Sequence, residues 1–407
     1  MTVDGRAPAG NTRREWLRRG AAAVAGVSLL AGCAATGEDA DSEGLSSDGA
    51  EPTSTGGWTA SLAPAGEVRG ESVPRSIAVY DLLHADMAVA YGAADAVNSL
   101  GFDAAVDGAT LAAYYERLDG VDVDWDGLTQ LNDGTDGVQV DAELLYELDS
   151  DLHLIDPALV TSFEGWERTD VETIETDVAP WIGNYYGRTR GDPPGSWADD
   201  YEYYTLWEVA ERVAPVFDAE DRFGALASVR HELVSTIEAE LPPPAERPTV
   251  AMAFLMDGTF YPTAIDAPGY ASAHVRPFGV TDALADDAGD IGSGYGYEAM
   301  LEFDPDVLLV PYGLASYYSV PEIRETLAAH PVGREITAVD EGRVYPSGVP
   351  MQGPIVTLFQ TEMTAKQLFP DRFGTWPDYD GGPYPEIPEG EWLFDRDRVA
   401  EVVRTDG

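Results

Sequence analysis

The chain has one cysteine, one lysine and few cations of any kind. Its 407 residues hold 24 Lys and Arg, of which only Lys366 is lysine, against 73 Asp and Glu, for a net charge of −49. A lone Cys33 forms no intrachain disulfide, so the fold is not stapled covalently. So sparse a supply of cations excludes nucleic acid as a partner, because binding it means neutralising phosphates. No apolar run reaches the roughly 20 residues needed to cross a bilayer. Gly-x-Ser-x-Gly, His-Glu-x-x-His and a phosphate-binding Gly-Lys-Ser/Thr loop are all absent, so the common enzyme signatures are missing. Neither an enzyme nor a cofactor is expected.

What is present points to a large folded body. Hydrophobic residues make up 44% of the chain, with 9 Trp, 20 Tyr and 12 Phe, a composition that argues against disorder. The charge suits a protein working in concentrated salt, where the Debye length of about 3 Å screens self-repulsion.

The first 33 residues read as an address. Thr12-Arg13-Arg14-Glu15-Trp16-Leu17 precedes an apolar stretch from Ala21 to Ala31 that ends Leu30-Ala31-Gly32-Cys33. Basic head, short apolar run and small residues make a signal peptide. The paired arginines resemble a twin-arginine export signal and the last four residues resemble a lipobox, which implies that Cys33 is lipidated and anchors the chain on the extracytoplasmic face of the membrane. Residues 34–73, rich in Ser, Gly, Asp and Glu, read as a disordered acidic tether.

The body is expected to be α/β, with two similar lobes. A first lobe spans 74–217 and opens with a buried strand from Ile77 to Tyr80 and a helix from Leu82 to Tyr91. Residues 143–155 and 298–310 then repeat one pattern, an amphipathic helix, an acidic turn and an apolar strand. Glu143 matches Glu298, Glu147 matches Glu302, Asp149 matches Asp304 and Asp151 matches Asp306. Such apolar strands suit mostly parallel sheets buried on both faces. Between the copies, Phe223, Leu226, Val229, Leu233, Ile237 and Leu241 mark one long connecting helix over 218–241, stopped by Pro242-Pro243-Pro244. A second lobe over 242–352 opens with a strand from Thr249 to Phe254. Helices and a tail follow over 353–407, the last helix capped by Asp395. A ligand cleft is expected between the lobes.

The order of these segments, followed by Ala338-Val339-Asp340-Glu341-Gly342-Arg343-Val344-Tyr345 and Gln367-Leu368-Phe369-Pro370-Asp371-Arg372-Phe373, resembles the helix-linked (class III) substrate-binding lipoproteins of ABC importers for ferric siderophores, haem and cobalamin, here with a haloarchaeal-like composition. The resemblance covers about residues 74–373. It implies a monomeric solute-binding protein that delivers a ligand, first an iron chelate, to a permease and ATPase complex. It also implies that Glu143 and Glu298, one per lobe, dock on permease arginines. Cobalamin, haem or an ionic metal are alternative ligands. A secreted, lipid-anchored hydrolase using paired carboxylates is the alternative of another class.

The cleft should lie at the C-terminal ends of the strands. The residues expected there are Tyr80, His84, Trp181, Tyr185, Tyr186, Arg188, Tyr261, Tyr295, Tyr297, Tyr312, Tyr317 and Met351, with Met256, Asp257 and Tyr318 close by. Aromatic faces suit a bulky, partly apolar chelate and Arg suits its negative charge. Only five His occur, at 84, 153, 231, 274 and 330, too few near the cleft for a three-His metal site. Asp122, Asp124, Asp126, Gly127 and Asp133 approximate a calcium loop, but Asp133 stands where a bidentate Glu is usual and no helix should follow.

Overall fold

A computed structural model describes residues 57–132, 139–285, 294–314, 318–381 and 384–404. Cys33, Asp133 and Tyr317 lie outside them. The described chain is α/β, with two parallel sheets and a long helix between them.

The first element corrects the expected extent of the tether. Trp58–Leu62 (β1) and Gly66–Gly70 (β2) form an antiparallel hairpin. Trp58, Ala60 and Leu62 are buried while Thr59 and Ser61 are exposed, the period of two that a half-buried strand requires. The hairpin packs on the helix Leu206–Val213 and the turn after it. Residues 58–70 therefore belong to the folded body and not to a tether reaching residue 73. Five alternating residues carried too little signal against the polar composition around them.

In the first lobe Ile77–Val79 (β3), Val97–Leu100 (β4), Thr129–Gln130 (β5) and Leu152–Leu154 (β6) form a parallel sheet in the order β5-β4-β3-β6, continued by a parallel bridge from His153 to Trp181. In the second lobe Thr249–Met256 (β7), Thr259–Pro262 (β8), Thr281–Asp282 (β9), Val307–Val310 (β10) and Val344–Pro346 (β11) include the parallel path β9-β7-β10-β11. β8 folds back antiparallel along the far half of β7. In each lobe the first strand lies between the next parallel strand, β4 or β9, and the strand of the repeat, β6 or β10, so the two copies share that pairing.

The repeated acids are structural devices. The helices Ala142–Leu148 and Tyr297–Phe303 end on Asp149 and Asp304, both left-handed with φ of 45° and 42°. Asp enters that region because its short side chain bonds locally. Asp151 Oδ2 accepts the amides of Arg75 and Ser76 at 2.8 and 3.1 Å, just before β3. Asp306 Oδ2 accepts the Thr249 amide and hydroxyl at 2.7 and 2.8 Å, at the start of β7. Each ties its turn to the central strand of its own lobe.

Alternation along the strands feeds separate cores. Val250, Met252, Val307 and Leu309 join the large core shared with the first lobe, whereas Ala251, Ala253, Leu308 and Val310 build a core of the second lobe alone. In the first lobe Ile77 and Val79 face the large core and Ala78 and Tyr80 a third.

The connecting helix runs Glu220–Glu240, about 32 Å at the usual rise per residue. Leu226, Val229, Leu233 and Ile237 are its buried face. It is not the only connection. The helix Pro354–Leu368, buried along its whole length, packs on it and on the first-lobe helices Leu82–Ala90 and Ala109–Tyr115. Asp86 accepts the Ile355 and Val356 amides at 2.8 and 3.3 Å, capping that helix from the first lobe. The chain then returns to the first lobe, where Arg117 Nε donates to Tyr384 O at 2.6 Å, and the last helix, Arg396–Arg404, lies against the connecting helix. Asp395 caps it by accepting the Arg398 amide.

Candidate ligand site between the lobes

The site forms around Arg188. Residues Tyr186–Arg188 make a single 3-10 turn after the Trp181 bridge. Its geometry is set from below by a buried carboxylate. Asp156 Oδ2 accepts the Tyr185 amide and the Tyr201 hydroxyl, both at 2.6 Å, while the Tyr186 amide donates to the Tyr201 oxygen at 2.9 Å. Burial pushes the Asp156 carboxyl up to about 6, against these hydrogen bonds.

Arg188 Nη2 donates to the Tyr185 hydroxyl at 3.0 Å, and the guanidinium carbon stands 4.8 Å from the Tyr185 ring centre. Nη1 is 3.9 Å from Met351 Sδ, and the Tyr312 hydroxyl is 3.8 Å from the same sulfur. Tyr312 and Met351 belong to the second lobe, so the turn of one lobe meets two loops of the other. Tyr270, also from the second lobe, donates to Asn184 O at 2.9 Å. Arg188 is only 9% exposed, and its Nε has no hydrogen-bond partner. Burial works against its charge, but the oxygens of Tyr185, Tyr312 and Tyr270 and the Asp81 carboxylate outweigh burial and raise its pKa. Tyr312 holds a left-handed backbone, φ 59°, a strain that large residues adopt only when their surroundings enforce it. Burial lifts its hydroxyl to about 12, opposed by Arg188 and helped by Asp107. Asp107 is half-buried and pushed up to about 7, by burial and then by Asp103.

Of the expected residues, Tyr185, Arg188, Tyr312 and Met351 come together, with Tyr186 packed edge-on against Tyr185 at 5.7 Å. Tyr80 is buried near Tyr185 and packs on Phe163. His84 is fully buried on the first-lobe helix. Its Nδ1 lies 3.0 Å from Asp81 Oδ1, yet neither ring nitrogen makes a well-directed hydrogen bond. Burial alone would raise the Asp81 carboxyl; His84 and Arg188 outweigh it and hold it below the usual range. Trp181 is a core residue, 4.2 Å from His153 between ring centres, with its indole nitrogen bonded to Val171 O. Asp107, Asp156, Tyr201 and Tyr270 were missed, and no spacing links them to Arg188 in the sequence.

A second group surrounds the β7–β8 hairpin. Tyr261 is on strand β8, not in a loop, and stacks on its cross-strand partner Phe254 at 5.2 Å. Asp257-Gly258, both with positive φ, make the tight turn, and this Asp-Gly pair was the overlooked signal. Met256 ends β7. Tyr295 bridges Phe260 through two backbone bonds and packs on Phe303, while Tyr297 stacks on His330 at 3.6 Å. Tyr318 is buried, its hydroxyl bonded to Leu255 O at 2.9 Å.

Glu143 and Glu298 occupy the first turns of the two matched helices and are both exposed. Asp122, Asp124 and Asp126 are exposed around the buried Trp125. His274 is buried and bonded to Ser347 and Gln352, and His231 is exposed on the connecting helix. No group of three His, Cys, Asp or Glu among the described residues is placed to hold a metal ion. No helix among them is long and apolar enough to cross a membrane.

No protein-family model matches the chain, and no curated protein matches it by sequence. Solved structures do match. A periplasmic binding protein from Veillonella parvula superposes with a TM-score of 0.53 at 12% identity, covering 77% of this chain and 92% of that one. The iron uptake ABC transporter substrate-binding protein PiuA from Streptococcus pneumoniae gives 0.52 at 15%, covering 79% and 99%. A periplasmic solute binding protein from Mycobacterium smegmatis gives 0.52 at 14%, covering 77% and 98%. The fold is that of periplasmic solute-binding proteins.

Proposed function

We propose that the chain is the extracytoplasmic solute-binding component of an ABC importer and captures an iron chelate of the ferric-siderophore kind. The observation that carries this reading is Arg188, a buried guanidinium with an unpartnered Nε, ringed by Tyr185, Tyr312 and Met351 where two lobes meet. A buried donor without a partner costs free energy unless something accepts from it, and an anionic ligand oxygen would. Aromatic and thioether neighbours suit the apolar body of a chelate. The fold, and its likeness to the iron uptake substrate-binding protein PiuA, support the same class. In this reading Cys33 carries the lipid anchor, export follows the twin-arginine route, the protein works at high salt, and Glu143 and Glu298 dock on the permease. Cobalamin, haem or an ionic metal remain the alternative ligands.

The test is calorimetric titration of the full chain in concentrated salt with a ferric hydroxamate, haem, cobalamin and a free divalent ion in separate runs. One-to-one binding of the ferric chelate is expected. Arg188→Ala should weaken an anionic chelate by about 1.5–3 kcal/mol, tenfold or more. A neutral chelate should lose less. Trp181 lies in the core, so its fluorescence is not the reporter. Binding of the divalent ion alone would move the function to ionic metal uptake.

A further inference from the structure

We infer that Tyr146 is the centre of an apolar contact on the first lobe that receives an arginine-bearing surface of a partner protein. The inference rests on the reading of Glu143 as a docking residue and adds the contact that would hold the complex in salt. Among the described residues only Val73 and Tyr146 are exposed large hydrophobics, and Tyr146 is the more open at 45%. It lies on the helix Ala142–Leu148, three residues after Glu143 and one before Glu147, so all three share the exposed face. Among the described residues neither carboxylate makes an ion pair, and the Tyr146 ring has no aromatic or hydrogen-bonding partner.

The surroundings define the partner. The chain has 24 cations, yet none between Arg117 and Arg168 and none between Arg276 and Arg324, the two stretches that contain the docking helices. An incoming guanidinium therefore meets no competing cation from these segments. An aromatic face one helical turn from the free Glu143 carboxylate binds that group by charge and by cation–π contact. The matched position in the second lobe is Leu301, half-buried against its own core, so the aromatic contact belongs to the first lobe alone. Salt decides which part matters. Near molar salt the Debye length is about 3 Å, and exposed ion pairs lose most of their pull. Burying an aromatic face does not weaken in this way.

The test measures binding of the full chain carrying Cys33→Ser, so that no lipid retains it, to right-side-out membrane vesicles from cells lacking the native copy. Tyr146→Ala should weaken saturable binding by about tenfold, and by as much at high salt as at moderate salt. Tyr146→Phe should retain most of it. Affinity for the ferric hydroxamate should be unchanged in both variants. Glu143→Arg with Glu298→Arg should abolish vesicle binding at moderate salt. If the double charge reversal abolishes binding while Tyr146→Ala matches wild type, the inference is overturned and the docking face stands. If neither change affects binding, the docking reading fails and this inference with it.

Discussion

Buried carboxylates are a liability in so acidic a chain, and Asp86 shows how one is used. It is fully buried on the helix Leu82–Ala90, accepts the Tyr115 hydroxyl at 2.7 Å on one oxygen, and caps the helix Pro354–Leu368 with the other. Burial pushes its carboxyl up to about 7 despite those three bonds. An unfolded Asp titrates near 3.9. The folded chain thus holds this proton more tightly, so the contribution to stability is complete below about pH 4 and is lost as pH rises through 7. Asn keeps one acceptor for the amides and offers the Tyr115 oxygen a donor. Asp86→Asn should therefore melt higher than wild type at pH 8 and gain distinctly less at pH 5, on the order of 2 °C for each kcal/mol relieved. Thermal melts at the two pH values in one salt check this, and an equal offset at both would contradict it. The single lysine is used as sparingly. Lys366 is buried, with Nζ donating to Phe373 O at 2.6 Å and standing 3.9 Å from Glu391.

At the scale of elements, the two helix–turn–strand units are the clearest feature. Each uses Asp twice, once as a left-handed helix end and once as an acceptor for the neighbouring strand, which is why the spacing recurs. The C-terminal segment is held differently. Arg396 Nη2 donates to both carboxylate oxygens of Glu362 at 2.9 and 3.1 Å, both residues buried, and its guanidinium lies within 4.9–5.7 Å of the rings of Phe359, Tyr384, Trp392 and Phe394. This clamps the last helix onto the helix Pro354–Leu368, the second link between the lobes. Removing one partner strands the other charge in the core. Arg396→Ala should cost about 3–5 kcal/mol, read as a shift in denaturation midpoint. The double change Glu362→Leu with Arg396→Met should recover most of that loss. Equal damage from single and double variants would show that ring packing, not the ion pair, holds the segment.

At the scale of the whole molecule, the net charge is the feature to test. A net charge of −49 on one chain opposes compaction unless it is screened. Raising KCl from about 0.1 M to about 3 M should raise the melting temperature steadily, since screening tightens over that range. Circular dichroism melts check this, and identical temperatures at both ends would remove the high-salt reading. The links between lobes also bear on motion. Two long helices and the returning C-terminal segment join the lobes, so ligand capture is expected to move them little.

The sequence alone determined the elements whose cause is local. Leu226, Val229, Leu233 and Ile237 mark a helix because their spacing follows its turn. Residues 143–155 and 298–310 declare two lobes because a buried parallel strand must be apolar throughout. Arg188 and its tyrosine neighbours were legible as chemistry, since a lone cation among aromatics is conspicuous in so acidic a chain. Tertiary structure decided what depends on distant partners. It took Trp181 into the core beside His153 and sealed His84 beneath the site. It also brought Tyr312, Met351 and Tyr270 to Arg188 across the gap between lobes. The contacts between lobes join residues more than eighty positions apart, and no periodicity carries information over that distance.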